Sequence, residues 1–388
     1  MASRRTPIGA FQGAFASVAA PALGSAAIGA TLADAAVQAD QIDEVLLGCV
    51  LCAGIGQAPA RQAALGAGIP QQIPCTTISK VCGSGMKAVM IGADAIRAGS
   101  ADIVLAGGME SMTHAPYLLA KARSGYRLGH GELLDHMFLD GLQNARDGKL
   151  MGVFAEATAR KYGFTRAEQD AYVQETIARA HTASQSGAFD AELAPVRVKS
   201  RHGESVISKD EIPPTCDSAK VARLRPAFDD NGTVTAASSS SIADGAAAML
   251  LVGTQGLAGL ATRPLARLVA CASHAQEPEW FTTAPVGAIR RVLERAQWPK
   301  DSVDLFEINE AFAVVTMAAV RDLELDPGRV NVNGGACALG HPLGASGARI
   351  ITTLIHALRR RGLKRGVAAL CIGGGEATAV AVEVAGQA

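Results

Sequence analysis

Reactive side chains fall in a few short stretches of this chain, each punctuated by glycine. One runs Thr76-Thr77-Ile78-Ser79-Lys80-Val81-Cys82-Gly83-Ser84-Gly85-Met86. A β-branched run leads into Cys82, and a helix-like pattern follows from Met86 to Ala98. A strand that breaks sharply into a helix sets one side chain at the helix N-terminus, where unpaired N–H groups and the helix dipole favour negative charge. A thiol there is expected to have a lowered pKa and to act as a nucleophile. Gly83 and Gly85 remove Cβ atoms and let a substrate carbonyl approach the backbone. The competing reading is a buried free cysteine beside a glycine turn, since free Cys is among the most buried residue types.

Four stretches in the second half offer partners. Asn309-Glu310-Ala311-Phe312 follows a strand-like run. Its Asn amide can hold a water or an oxyanion, with Glu310 to fix it; taken alone, the pair reads as an N-cap. His341 lies in the glycine-rich loop Asn333 to Arg349, held between Gly340 and Pro342, and an immobilised imidazole suits a base that activates a thiol. Cys337 in that loop reads as packing. Cys371-Ile372-Gly373-Gly374-Gly375 offers a second thiol as proton carrier beside bare N–H groups able to form an oxyanion hole; a buried strand cysteine is the plainer alternative. Phe228, with the serine run Ser238 to Ser241, suits a long amide-bearing substrate arm, although serine runs are commonly plain loops. Two cysteines, one His and one Asn at strand ends together fit one reaction type. One thiolate carries an acyl group, and a second acid/base removes a proton alpha to a thioester carbonyl.

The surrounding pattern supplies elements to position them. Helix is expected over 15–37, 60–66, 86–97, 166–186, 286–296, 311–323 and 344–360. Strand is expected over 42–50, 74–81, 101–106, 265–271, 303–308 and 367–372, and 243–252 is a further apolar run. Alternating strand and helix predicts a parallel sheet with covering helices. Between 111 and 231 the chain turns charged and proline-bearing, which reads as an insertion over the strand ends, where open α/β sheets bind ligands. Thr165 with Glu168 forms a capping box there. Ile42-Asp43-Glu44-Val45-Leu46-Leu47 is echoed by Val303-Asp304-Leu305-Phe306-Glu307-Ile308, and glycine turn, helix, strand and glycine pair recur around Gly83–Gly108 and Gly344–Gly374. That echo favours a duplicated α/β unit.

The 388 residues allow two ordinary domains. Formal net charge is +0, which lacks the electrostatic footprint of a nucleic-acid or membrane-surface binder. Aromatics make up only 4% while glycines number 42, a balance suited to close backbone approach between layers. Mean hydropathy is +0.19, yet no apolar run reaches membrane-span length, so a buried core and a subunit interface are expected. The eight scattered cysteines argue against a disulfide scaffold. Cys49 and Cys52 are expected to point to opposite faces of one strand. The N-terminal stretch reads as mature protein in a reducing, cytoplasmic compartment.

Lys80-Val81-Cys82-Gly83-Ser84-Gly85, Asn309-Glu310-Ala311-Phe312, Gly340-His341-Pro342-Leu343-Gly344-Ala345-Ser346-Gly347 and Cys371-Ile372-Gly373-Gly374-Gly375 resemble the motifs of the thiolase family, in its order and spacing over nearly the whole length. The resemblance implies an α/β thiolase fold. Two similar halves, 1–260 with a loop domain inserted at about 112–240 and 261–388, would stack as five layers, α-β-α-β-α. It implies reversible Claisen condensation of two acetyl-CoA to acetoacetyl-CoA plus CoA, with action on longer 3-ketoacyl-CoA thioesters, or acyl-CoA binding without catalysis, as alternatives. Cys82 would accept the acyl group and His341 activate it. Cys371 would be the acid/base, Asn309 would position an oxyanion-holding water, and the N–H groups of Cys82 and Gly373 would form a second oxyanion hole. Ser240, Phe228, Met151 and Phe312 would contact the CoA arm. No metal or further cofactor would be required, and the assembly would be a homodimer or homotetramer. The chain departs from the family pattern in four places. The first strand is mostly missing before Arg5, a serine run replaces Asn-Ala-Ser-Gly at Ser238–Ser241, Leu150 stands where short-chain members carry His, and their adenine-contacting Arg has no match near Pro213-Pro214.

Overall fold

Ile103–Ser111 is apolar over nearly its whole length and buried on both faces, as is Ala243–Val252. Such strands need cover on either side. The computed structural model describes residues 2–200, 203–258, 260 and 263–385. In it the strands Ser3–Arg5, Ala243–Val252, Ile103–Ser111, Glu44–Gly48 and Cys75–Ile78 lie side by side in that order, with Gly9–Ala10 added to Ala243–Val252. A second sheet runs Ala266–Ala275, Glu376–Val384, Arg365–Ile372, Leu305–Ile308. Helices Ser84–Arg97 and Leu343–Arg361 fill the space between the sheets. Ala20–Ala35 and Pro59–Gly66 cover the first sheet outside, and Ala284–Ala296 and Ala313–Leu323 cover the second. The result is the five-layer α-β-α-β-α stack of two similar halves. The expected division at 260/261 falls among 259, 261 and 262, outside the described residues.

Parallel pairing throughout was the expectation, and the sheets are instead mixed. Glu44–Gly48 pairs parallel with Cys75–Ile78 and Ile103–Ser111, and Leu305–Ile308 pairs parallel with Arg365–Ile372. The other neighbours are antiparallel. Ala243–Val252 arrives from the inserted region rather than through a crossover helix. Glu376–Val384 turns straight back from Arg365–Ile372 through Gly373–Gly375, as only antiparallel strands can. Both sheets share a run of pairings, parallel then antiparallel then antiparallel, and the first sheet adds Cys75–Ile78 as a further parallel strand at its edge.

Several boundaries shift for local reasons. Ile103–Ser111 continues through Gly107 and Gly108 instead of stopping before them. A Cβ on Gly107 would stand 2.1 Å from the Ala247 carbonyl oxygen, and one on Gly108 2.0 Å from that of Gly344, so these glycines admit a neighbouring backbone rather than end a strand. The first helix begins at Ala20, with Pro21 in its opening turn, where a missing N–H costs nothing. Helix Met151–Tyr162 and strand Glu376–Val384 lie where the sequence pattern had placed neither. The capping box at Thr165 and Glu168 forms as its residues suggest. The first strand, expected to be mostly missing, is present as the short edge Ser3–Arg5. Buried Arg5 holds it, donating to Glu192 and bidentately to Asp210 in the inserted region.

Gly108 and Gly29 test this spacing. Gly108→Ala is expected to lower stability by about 1–3 kcal/mol or more through overpacking. Gly29 lies in helix Ala20–Ala35 with open space at its Cβ position. Gly29→Ala should therefore hold or gain up to about 1 kcal/mol. Urea midpoints of the two variants check both signs.

Candidate active site

Cys82 sits in the turn between strand Cys75–Ile78 and helix Ser84–Arg97. Val81 has φ +45°, a left-handed conformation that strains a β-branched residue. The turn is closed by Gly83 N–H on the Lys80 carbonyl (3.0 Å), Ser84 N–H on the Val81 carbonyl (3.0 Å), and Lys80 N–H on Ser84 Oγ (2.8 Å). A Cβ on Gly83 would come within 2.4 Å of Ile372 Cδ1. The turn therefore packs directly on the strand that carries Cys371. Lys80 also forms an ion pair with Glu376, across the two ends of the glycine turn.

The thiol is not acidified as its place in the sequence suggests. Gly83 is the N-cap, so Cys82 stands before the helix rather than within its first turn. Burial pushes Cys82 up to about 11, although the N–H groups of Gly373 and of Cys82 itself act in the opposite direction. Cys371 is fully buried beside it, and burial, with the neighbouring Cys82, holds its thiol well above the usual range. Burial and the nearby Arg349 guanidinium push His341 down to about 3. Both thiols and the imidazole are therefore uncharged near neutral pH.

Ser346 fixes the imidazole. Its hydroxyl donates to the Pro342 carbonyl at 2.9 Å and lies 2.5 Å from His341 Nδ1. With its one proton engaged there, the hydroxyl accepts from Nδ1–H, which leaves Nε2 free as a base. Asn309 Nδ2 lies 3.5 Å from each ring nitrogen.

A cavity of about 250 Å³ opens onto this group. Cys82, His341, Gly373, Ser240, Phe228, Met151 and Phe312 line it, whereas Cys371 and Asn309 are buried outside its lining. Phe228 lies over Gly152, where a Cβ would be 2.3 Å from the ring, and meets Phe312 edge-on at 5.9 Å. Ser240 is held by its N–H on the Ala311 carbonyl (3.0 Å), so the serine run forms wall rather than free loop. Phe138, Leu142, Leu150 and Leu343 complete an apolar lining that the sequence pattern did not single out, apart from Leu150.

Glu310 does not hold Asn309. Its carboxylate accepts from Tyr172 and Thr176 hydroxyls, the Asn331 amide and the Cys337 N–H, tying the inserted region to the His341 loop. Both residues lie just past the strand end at Ile308, and their side chains go to different partners, Asn309 Oδ1 to Arg349 and Glu310 to the inserted region. Cys337 packs against Glu310, as its plain reading holds. Cys49 and Cys52 do not point apart. The strand ends at Gly48 and the chain turns, so that Cys52 Sγ donates to the Cys49 carbonyl (3.5 Å) and Cys49 Sγ to Glu110 Oε1 (3.7 Å). Glu110, which the sequence reading passed over, is fully buried and accepts from the N–H groups of Val50, Leu51 and Gly344. Burial pushes its carboxyl up to about 7.

The five-layer fold and the paired-cysteine site define a class, and the chain belongs to the thiolase family. It matches the thiolase N-terminal domain over residues 1–255 and the thiolase C-terminal domain over 262–384. It is 47% identical to an acetyl-CoA acetyltransferase of Pseudomonas aeruginosa, over 98% of this chain and 97% of that protein. Its fold superposes on the crystal structure of the Bacillus anthracis acetyl-CoA acetyltransferase with a TM-score of 0.97 at 39% identity, covering 99% of this chain and 98% of that one. It likewise superposes on the Ascaris suum Acat5 thiolase in complex with coenzyme A, with a TM-score of 0.93 at 41% identity and the same coverage.

Because Cys82 is raised, its thiolate becomes available only as pH rises. Alkylation of Cys82 by iodoacetamide, located by peptide mapping, should accelerate about tenfold per pH unit between about pH 7 and 9. A plateau below about pH 8 would instead indicate a resting thiolate paired with an imidazolium.

Proposed function

We propose that the chain is an acetyl-CoA C-acetyltransferase, catalysing reversible condensation of two acetyl-CoA to acetoacetyl-CoA plus CoA. The observation that carries this reading is the placement of Cys371 beside Cys82, with Gly373 N–H turned toward the Cys82 sulfur. A simple acyl hydrolase needs one nucleophile and a base. A second buried thiol next to the first suits proton removal from a second substrate.

The roles that the family resemblance implies give one cycle. His341 Nε2 takes the Cys82 proton as the sulfur attacks the acetyl carbonyl. The N–H groups of Cys82 and Gly373 hold the oxyanion. The tetrahedral adduct then collapses, CoA takes the proton from His341 and leaves, and Cys82 carries the acetyl group. Burial and a neighbouring Cys82 thiolate both oppose ionisation of Cys371, so Cys371 passes its proton to His341 Nε2 once Cys82 is acylated and neutral. The Cys371 thiolate removes a proton from the methyl group of a second acetyl-CoA. The His341 Nε2–H and a water on Asn309 hold its thioester oxygen. The carbanion attacks the acetyl-Cys82 carbonyl, and collapse of that adduct frees acetoacetyl-CoA while His341 returns its proton to the Cys82 sulfur. Cys82, His341 and Cys371 carry every proton, so the cycle calls for CoA thioesters and no further cofactor or metal. Ser240, Phe228, Met151 and Phe312 border the pantetheine arm, in keeping with the apolar cavity they line.

A cytoplasmic homodimer or homotetramer belongs to the same reading. Eight free thiols suit a reducing compartment, and no helix among the described residues is long and apolar enough to cross a membrane.

Labelled acetyl-CoA should transfer acetyl to the wild-type protein, and Cys82→Ser should abolish the label. Label retained on the variant identifies another nucleophile. Thiolysis with acetoacetyl-CoA and 3-ketohexanoyl-CoA sets the chain length. Preference for the six-carbon substrate would move the assignment to a broader 3-ketoacyl-CoA thiolase, and cleavage of neither sinks it.

A further inference from the structure

Asn309 closes strand Leu305–Ile308 with its carboxamide buried. An amide on the end of a side chain can flip, and the two orientations offer opposite chemistry to the site. One presents a donor toward His341 and the other presents an acceptor. Glu310, the adjacent carboxylate, is engaged elsewhere. What faces the amide instead is Arg349 on helix Leu343–Arg361. Its Nη2 donates to Asn309 Oδ1 at 3.5 Å, and its Nη1 donates to Glu307 Oε1 at 3.1 Å. Both charged groups are buried, at 2% exposure each, and Arg349 Nε has no partner among the described residues.

We propose that Arg349 is a positioning residue, fixing the Asn309 carboxamide with its N–H2 end toward His341 and the second-substrate oxyanion site. The proposal rests on the reaction given above. A guanidinium donates and never accepts, so the amide oxygen must turn to it. A flipped amide would turn its N–H2 group against the guanidinium, donor facing donor between two buried side chains. Nδ2 lies 3.5 Å from both ring nitrogens and is centred on neither, so its N–H groups remain available to an oxyanion or its water. Stability alone does not account for the arrangement. A buried ion pair is commonly no better than an apolar pair of the same volume, and an unpartnered buried Nε adds a cost. Arg349 and Ser346 lie three residues apart on one helix, so a single face of Leu343–Arg361 orients both Asn309 and His341. The Arg349 charge also discourages protonation of His341, which keeps the base in its working form.

Arg349→Lys tests this. Lysine keeps the charge opposite Glu307 but lacks the fork that reaches Glu307 and Asn309 together. The expected result is a fall in acetoacetyl-CoA turnover of about 10–100-fold, as for loss of a residue that orients a reacting group, with KM within about twofold. Acetyl transfer to Cys82, which does not use Asn309, should stay within about threefold. In the Asn309→Ala background the lysine substitution should add nothing further, since both changes remove one device. Effects that multiply, or loss of Cys82 acetylation in step with turnover and melting temperature, would overturn the proposal in favour of a purely structural arginine. Should Arg349→Lys not fold, Glu307→Gln/Arg349→Gln removes both buried charges and carries the same comparison. A wild-type chain that neither takes acetyl label nor cleaves acetoacetyl-CoA fails the underlying reaction instead, and takes this inference with it.

Discussion

Backbone packed against backbone between the two halves sets everything else in the molecule. Helices Ser84–Arg97 and Leu343–Arg361 touch through glycine. A Cβ on Gly85 would stand 2.7 Å from the Gly344 carbonyl oxygen, and one on Gly347 2.4 Å from Met86 N. Gly48 and Gly108 bring two strands of the first sheet equally close to these helices. Cys82 lies three residues before Gly85, and His341 three before Gly344. Nucleophile and base come from opposite halves of the chain, and the meeting of bare backbones settles how far apart they stand. A methyl group at any of these contacts would open the site as well as loosen the core.

The same tight packing excludes water, and desolvation governs the charge state of the site. Cys82 and Cys371 rise, His341 falls, and the N–H groups around Cys82 only moderate the shift. A site that rests uncharged forms its thiolate when substrate is present to accept it. Two like thiolates side by side would be unfavourable in so dry a place, so in the proposed cycle the two sulfurs ionise in turn.

Duplication explains where the parts come from, and divergence explains what they do. Both halves place a glycine turn, a central helix and an apolar strand in the same order. In the first half the strand runs on through Gly107 and Gly108, and the glycines serve packing. In the second the corresponding strand stops at Ile372, and Gly373–Gly375 turn the chain, with φ of +95° at Gly374 and +92° at Gly375. One framework thus yields a core strand in one copy and a left-handed glycine turn in the other.

The sequence by itself determined the class of fold and the repeat, and it pointed to the candidate reactive residues. Apolar runs, glycine turns and short motifs are local, and Cys82, His341, Cys371 and Asn309 could each be named from their neighbours alone. It did not determine the partners of those residues. Adjacent Glu310 looked like the support for Asn309, yet its carboxylate turns to Tyr172, Thr176 and Asn331, and Arg349, forty residues on, faces the amide instead. The helix start beside Cys82 suggested an acidic thiol, yet burial by the opposite half outweighed the local dipole. Cys49 and Cys52 looked divergent as strand residues and meet because the strand ends before them. Antiparallel pairing came from the inserted region and the glycine hairpin, which no helix or strand period records. Side-chain direction, desolvation and strand order depend on chain segments far apart in sequence, and only folding brings those segments together.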